Sequence, residues 1–100
     1  MKQRGPEPIA AVNSDGNDYS PFLDPPALTL YFDSDPDQNG GHDLYVATRP
    51  TLDAQFSAPS RIDELTTPDD ETDPWVSPDG RYMVFCRNVG GIAELFEVYR

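Results

Sequence analysis

Apolar and polar positions along the chain fall into short runs separated by turn residues, and no stretch sets its apolar positions at helical spacing. The pattern predicts a strand over residues 8–14, a polar turn over 15–18, and strands over 19–23 and 28–33. A loop over 35–41 leads to a strand over 43–49, and a polar connection over 51–59 to a strand over 60–65. The cycle then restarts. An acidic stretch over 66–72 precedes a short strand around Trp75, a strand over 81–86, a Gly-Gly loop after Val89, and a strand over 94–100. The runs around Leu30 and Val84 are nearly continuous in apolar and aromatic residues, as in strands covered on both faces.

The second half restates the first. Asp73-Pro74-Trp75-Val76-Ser77-Pro78-Asp79-Gly80-Arg81-Tyr82-Met83-Val84-Phe85 stands 53 residues after Ser20-Pro21-Phe22-Leu23-Asp24-Pro25-Pro26-Ala27-Leu28-Thr29-Leu30-Tyr31-Phe32. Asp69-Asp70-Glu71 falls against Asp15-Gly16-Asn17, residues 94–100 against 43–49, and Ile62 and Leu65 against Ile9 and Val12. A period of just over fifty residues holding four strands predicts an all-β fold: two four-stranded antiparallel blades of propeller type, a partial β-propeller. With strands lettered A to D from the inside outwards, the order is D-ABCD-ABC. Blade one covers about residues 18–66 and blade two about 72–100, with the strand over 8–13 completing a blade. Residues 1–7 hold nothing apolar to dock beyond Met1 and read as a disordered lead-in.

Turn chemistry explains the most conspicuous motif. Pro78 presets φ for the first corner of a turn, Asp79 suits the next position, and Gly80 takes the positive φ that closes a bulged hairpin. In the first half Pro26 and Ala27 stand where Asp79 and Gly80 do. Proline is disfavoured at that corner and alanine at positive φ, so the turn over 24–27 is expected to be remodelled and longer.

Asp73 to Arg81, followed by Val84-Phe85, Gly90-Gly91 and Glu94-Leu95-Phe96, resembles the WD40-like β-propeller repeat of the TolB type. The first half resembles it too, through Leu30-Tyr31-Phe32, Gly40-Gly41 and Asp43-Leu44-Tyr45-Val46-Ala47-Thr48-Arg49. The resemblance covers roughly residues 8–100. It implies a propeller of four-stranded blades that is not an enzyme and serves as a protein-binding platform, often in the bacterial envelope. A ring takes about 4–8 blades, and two would leave large apolar faces open. Either further copies form a homo-oligomer that completes the ring, or the chain is a fragment of a longer propeller protein.

Composition agrees with this picture: 37% apolar residues, 11 prolines and 7 glycines fit short strands and many turns. Charge narrows the partners. With 18 acidic against 7 basic residues the net charge is −11, which repels phosphate backbones and argues against nucleic acid. No apolar run is long enough for membrane insertion, and the N-terminal residues lack the apolar core of a signal peptide. The single cysteine, Cys86, allows no intrachain disulfide and leaves the compartment open.

Candidate chemistry is sparse. Asp33, Asp35 and Asp37 alternate along 33–39 with oxygen ligands spaced as around a calcium ion, but Gln38 stands where an EF-hand needs glycine and Leu44 where it needs glutamate. A solvated acidic turn competes with that reading, and no other cofactor is expected. Asp69, Asp70 and Glu71 form either a solvated loop or a docking patch for a basic protein partner; Asp73 is a candidate turn anchor. His42, the only histidine, lies beside Gly40-Gly41 with no Gly-x-Ser-x-Gly motif, so neither a triad nor a zinc site is expected. Cys86 is expected as a small core residue, and Trp75 with Phe22 as wedges between blades. Arg49 and Arg100 end equivalent strands and are expected in solvent. A calcium- or glycan-binding propeller is the alternative to a protein-interaction scaffold.

Overall fold

The computed structural model of the chain describes residues 6–37 and 41–99. Most of the lead-in, Gln38 and Asn39 of the acidic loop, Gly40 and Arg100 lie outside the described residues. The fold is all-β, in two antiparallel sheets. The first holds β1 (Asn17–Leu23), β2 (Thr29–Asp35), β3 (Asp43–Thr48) and β4 (Ser60–Arg61), in that order. The second holds β5 (Asp70–Val76), β6 (Tyr82–Val89) and β7 (Ile92–Tyr99). Neither sheet closes on itself, and β7 is an edge.

The sheets pack face to face. Phe22, Tyr31, Leu44 and Val46 point from the first sheet, here its front, onto Val76, Met83, Phe85, Phe96 and Val98 on the back of the second. Ile62 and Leu65, beyond β4, fill the seam between them. A smaller core lies behind the first sheet, where Val12 and Phe56 cover Leu30, Phe32 and Ala47. Two-sided burial of β2 follows from these two cores. In β6, Met83 and Phe85 are buried and their neighbours are not.

Local geometry recurs at a fixed offset. β1 pairs with β2 and β5 with β6 through a bulge at Ser20 and at Asp73, the non-glycine residues at φ 57° and 55°. Asn17 pairs with Asp35, and Asp70 with Asn88. Glu71 therefore corresponds to Asp18, and the acidic stretch 69–71 to Gly16-Asn17-Asp18, one residue along from the expected alignment. Gly16 is needed where it stands: a Cβ there would lie 2.0 Å from the Asp35 carbonyl oxygen.

Several expectations need correcting. Residues 8–13 form no strand: the Ile9 carbonyl accepts from the Val12 and Asn13 amides, a turn that drives Val12 into the rear core. The strand expected over 60–65 stops at Arg61 and gives way to a 3-10 helix, Asp63–Leu65, which aims Leu65 at the seam. The second sheet accordingly has three strands, not four.

The turn over 24–27 is neither longer nor remodelled. Ala27 donates its N–H to Asp24 at φ 64°, as Gly80 does to Ser77 at φ 73°. The reason is Asp24. Its carboxylate accepts the Leu28 and Thr29 amides at 3.0 and 2.9 Å, while in the second hairpin that work is split between Ser77 and Asp79. Two such bonds of about 1 kcal/mol each offset the roughly 1–2 kcal/mol of placing alanine in the left-handed region.

Candidate functional site

Between the sheets runs a polar seam. Asp33, 1% exposed on β2, accepts from the Asp73 amide at 3.3 Å, and its other oxygen lies 2.9 Å from His42 Nδ1. The His42 ring stacks on Tyr19, with centroids 5.5 Å apart. The His42 amide donates to Asp70 at 2.9 Å, and its carbonyl accepts the Glu71 amide at 2.8 Å. Ser20 Oγ donates to Asp73 at 2.8 Å, joining the two bulges.

Glu71 is the centre of the seam and is 0% exposed. It accepts from the Thr67 amide and hydroxyl and from Arg87 Nε at 3.1 Å, while Arg87 Nη2 donates to the Leu65 carbonyl. The Arg87 guanidinium also lies over the Phe96 ring at 4.6 Å. Asp43 sits beside this group: desolvation first, then a hydrogen bond with Glu71 and its negative charge, push the Asp43 pKa above the ordinary value. The first sheet has a counterpart whose donors are uncharged. Asp18 accepts from the Ser14 amide and hydroxyl and from Ser34 Oγ at 2.7 Å. Among the described residues no buried side-chain nitrogen or oxygen lacks a partner. The seam is a fastening, with its donors and acceptors spent on each other.

The acidic candidates separate accordingly. Asp33 and Asp35 belong to β2 and are buried rather than looped, while Asp37 is exposed on the following turn. Both Asp33 oxygens are engaged, and no group of three possible ligands gathers among the described residues. Glu71 leaves the expected docking patch, because a fully buried carboxylate paired with Arg87 presents no charge to a partner. Asp70 bonds His42, and Asp69 alone of the three is exposed. Asp73 lies at the bulge inside β5 rather than in a turn, and its carboxylate accepts the Ser20 and Thr72 hydroxyls.

His42 immediately precedes β3 and faces Asp33, so it ties the start of β3 to β2. Arg49 was expected in solvent. It is half-buried instead, with Nε donating to the Ala27 carbonyl and its guanidinium 4.4 Å from the Phe56 ring centroid.

The open surface lies elsewhere, on the front of the second sheet. Trp75, Tyr82, Val84, Cys86, Leu95 and Tyr99 share this face by strand alternation and pairing. The rings form a ladder: Phe22 to Trp75 at 6.3 Å, Trp75 to Tyr82 at 6.1 Å, and Tyr82 to Tyr99 at 4.8 Å. Phe22 is the wedge between the sheets, whereas Trp75 is 45% exposed. Cys86 is a half-buried surface residue here and not part of either core. The Tyr82 hydroxyl donates to Glu97 at 3.0 Å, which raises the tyrosine pKa.

Leu95 pairs with Cys86 as Leu44 pairs with Asp33, so the two leucines occupy corresponding positions. Leu44 is 1% exposed under the second sheet; Leu95 is 75% exposed, with none of the described residues covering it.

Sequence reasoning missed the seam; it expected apolar faces to be left open but not that the back of the first sheet is covered while the front of the second is bare. A signal for the seam exists: a hydroxyl residue four before an acid, Ser14 and Asp18, then Thr67 and Glu71, at the same offset. The open front has no local signal, since Leu44 and Leu95 look alike until their neighbours are known. Among the described residues no helix is long and apolar enough to cross a membrane. No protein-family model and no curated protein matches the chain.

Proposed function

We propose that the chain is two consecutive blades of a TolB-type WD40-like propeller and acts as a non-catalytic protein-interaction module. Its binding surface on this reading is the front of the second sheet, with the bare edge of β7. The observation that carries the reading is the pair Leu44 and Leu95: one position in each sheet, buried in the first and naked in the second. Front-to-back packing, the bulges at Ser20 and Asp73, and the matched turns at Ala27 and Gly80 support the blade assignment. An apolar, aromatic sheet face left open on a chain of charge −11 is a surface that associates rather than one that stays bare.

The test is capture on the immobilised chain with Leu95→Asp as the control. The expected result is a protein retained near one-to-one by the wild type and lost on the variant. Retention that ignores Leu95→Asp, or none from any extract, would contradict the reading.

A further inference from the structure

Behind the first sheet lies a cavity of about 210 Å³, lined by Val12, Asn13, Asp18, Phe32, Ser34 and Tyr45 among others. The second sheet carries the same frame with its space filled by an arginine. We propose that the cavity is a binding site for a guanidinium group, carried by arginine either free or in a peptide.

The filled frame is built on Arg87. Its guanidinium donates to Glu71 and to the Leu65 carbonyl, at 3.1 and 3.0 Å. It lies 4.6 Å from the Phe96 ring centroid and 5.4 Å from that of Phe85. Those two rings stack on each other, 5.9 Å apart at 18°. Strand pairing matches every part of this frame to a residue of the first sheet. Asp18 corresponds to Glu71, Phe32 to Phe85, Tyr45 to Phe96 and Ser34 to Arg87. Phe32 and Tyr45 stack in the same way, 5.8 Å apart at 20°. Val12 stands for Leu65: each donates its N–H to the carbonyl three residues before, at 2.9 and 3.1 Å.

One part is missing. With Ser34 in place of the arginine, the first sheet keeps the carboxylate, the paired rings and the turn, and loses the cation. Asp18 accepts from the Ser14 amide and from the Ser14 and Ser34 hydroxyls, and among the described residues no cation bonds it. The cavity lies where the Arg87 side chain runs in the second sheet. A guanidinium entering it donates to Asp18 and to the Val12 carbonyl, with its plane against Phe32 and Tyr45. An ammonium fits less well, being more strongly hydrated and unable to stack flat on a ring. The net charge of −11 draws a cation in. This site sits at the opposite end of the stack from the front of the second sheet, so it stands or falls independently of the interaction surface above.

The test is an NMR titration of the full chain that follows the Val12 methyl and Ser34 amide signals. The probes are N-acetylarginine methylamide, its uncharged isostere N-acetylcitrulline methylamide, and free L-arginine. The expected result is a saturable shift of both signals with the blocked arginine, and binding of the citrulline form at least about tenfold weaker. Free arginine binding more weakly than the blocked form assigns the site to a peptide side chain; tighter binding assigns it to the free amino acid. Ser34→Arg supplies the missing side chain in place. It is expected to raise the unfolding midpoint by about 4–8 °C and to abolish the shifts from every probe.

Equal binding of the arginine and citrulline forms, or no saturable shift by about 50 mM, would overturn the proposal. So would a Ser34→Arg variant that fails to fold, or one that still binds the blocked arginine as the wild type does.

Discussion

The two sheets solve the same local problems with different residues and meet different surroundings. Each has a bulge at positive φ, a hairpin closed by a left-handed residue, and a carboxylate clasped by a hydroxyl residue four positions earlier. The first sheet uses Ala27, Asp18 and Ser34, and is covered on both faces. The second uses Gly80, Glu71 and Arg87, and is covered only on its back. The difference teaches that turn and seam geometry belong to each sheet, whereas burial is decided by what stands next to it.

The sharpest break in the comparison is at the clasped carboxylates. Glu71→Ala strands the Arg87 guanidinium and two Thr67 donors in a buried site, for an expected loss of about 3–5 kcal/mol. Asp18→Ala removes only hydroxyl and amide partners in a half-buried site, about 1–3 kcal/mol. Urea denaturation of the two variants measures the gap. Equal losses would mean that Arg87 contributes nothing through Glu71.

Next come the leucines. Leu44→Ala empties a site between two packed sheets and is expected to cost about 2–5 kcal/mol. Leu95→Ala, on a face in solvent, is expected within about 0.5 kcal/mol of wild type. Calorimetric midpoints order the pair.

The hairpins give a smaller effect with opposite signs. Gly80→Ala is expected to destabilise by about 1–2 kcal/mol, because it puts a Cβ at φ 73°. Ala27→Gly relieves that same conflict and is expected to stabilise by about 0.5–1 kcal/mol, after the added freedom of the unfolded chain. Chemical denaturation of both, on the same chain, tests whether the two turns are one geometry.

The smallest effect is in pH. The fold raises the Asp43 pKa, so its stabilising contribution is full below 3.8 and is lost as pH rises through the raised value. Asp43→Asn is therefore expected to gain on the wild type between those limits and hold the gain at neutral pH. The Asp79 pKa is lowered by its bonds to Ser77 and the Arg81 amide, so its contribution runs the other way and fades as pH falls below 3.8. Stability curves of the wild type and Asp43→Asn against pH separate the two.

Much of this fold is legible in the sequence, for local reasons. Pro78-Asp79-Gly80 specifies its own turn, and the continuous apolar run around Leu30 specifies a strand covered on both faces, whereas the similar run around Val84 is covered on one face only. What stays hidden depends on distant partners. Ala27 is tolerable at positive φ only because the Asp24 carboxylate reaches two amides, which a rule about alanine cannot see. Glu71 reads as one more surface acid until β6 places Arg87 opposite it. The stretch 8–13 has strand-forming residues, yet Val12 gains more by turning into the rear core. The open front was legible only as a count, since a two-sheet stack must leave a face without a neighbour.

The most direct measurement is paramagnetic broadening of the Leu44 and Leu95 methyl signals by a soluble gadolinium chelate. The account predicts strong broadening at Leu95 and none at Leu44 under the same conditions. Equal broadening would contradict it, whether because the first interface opens or because the second front is already covered.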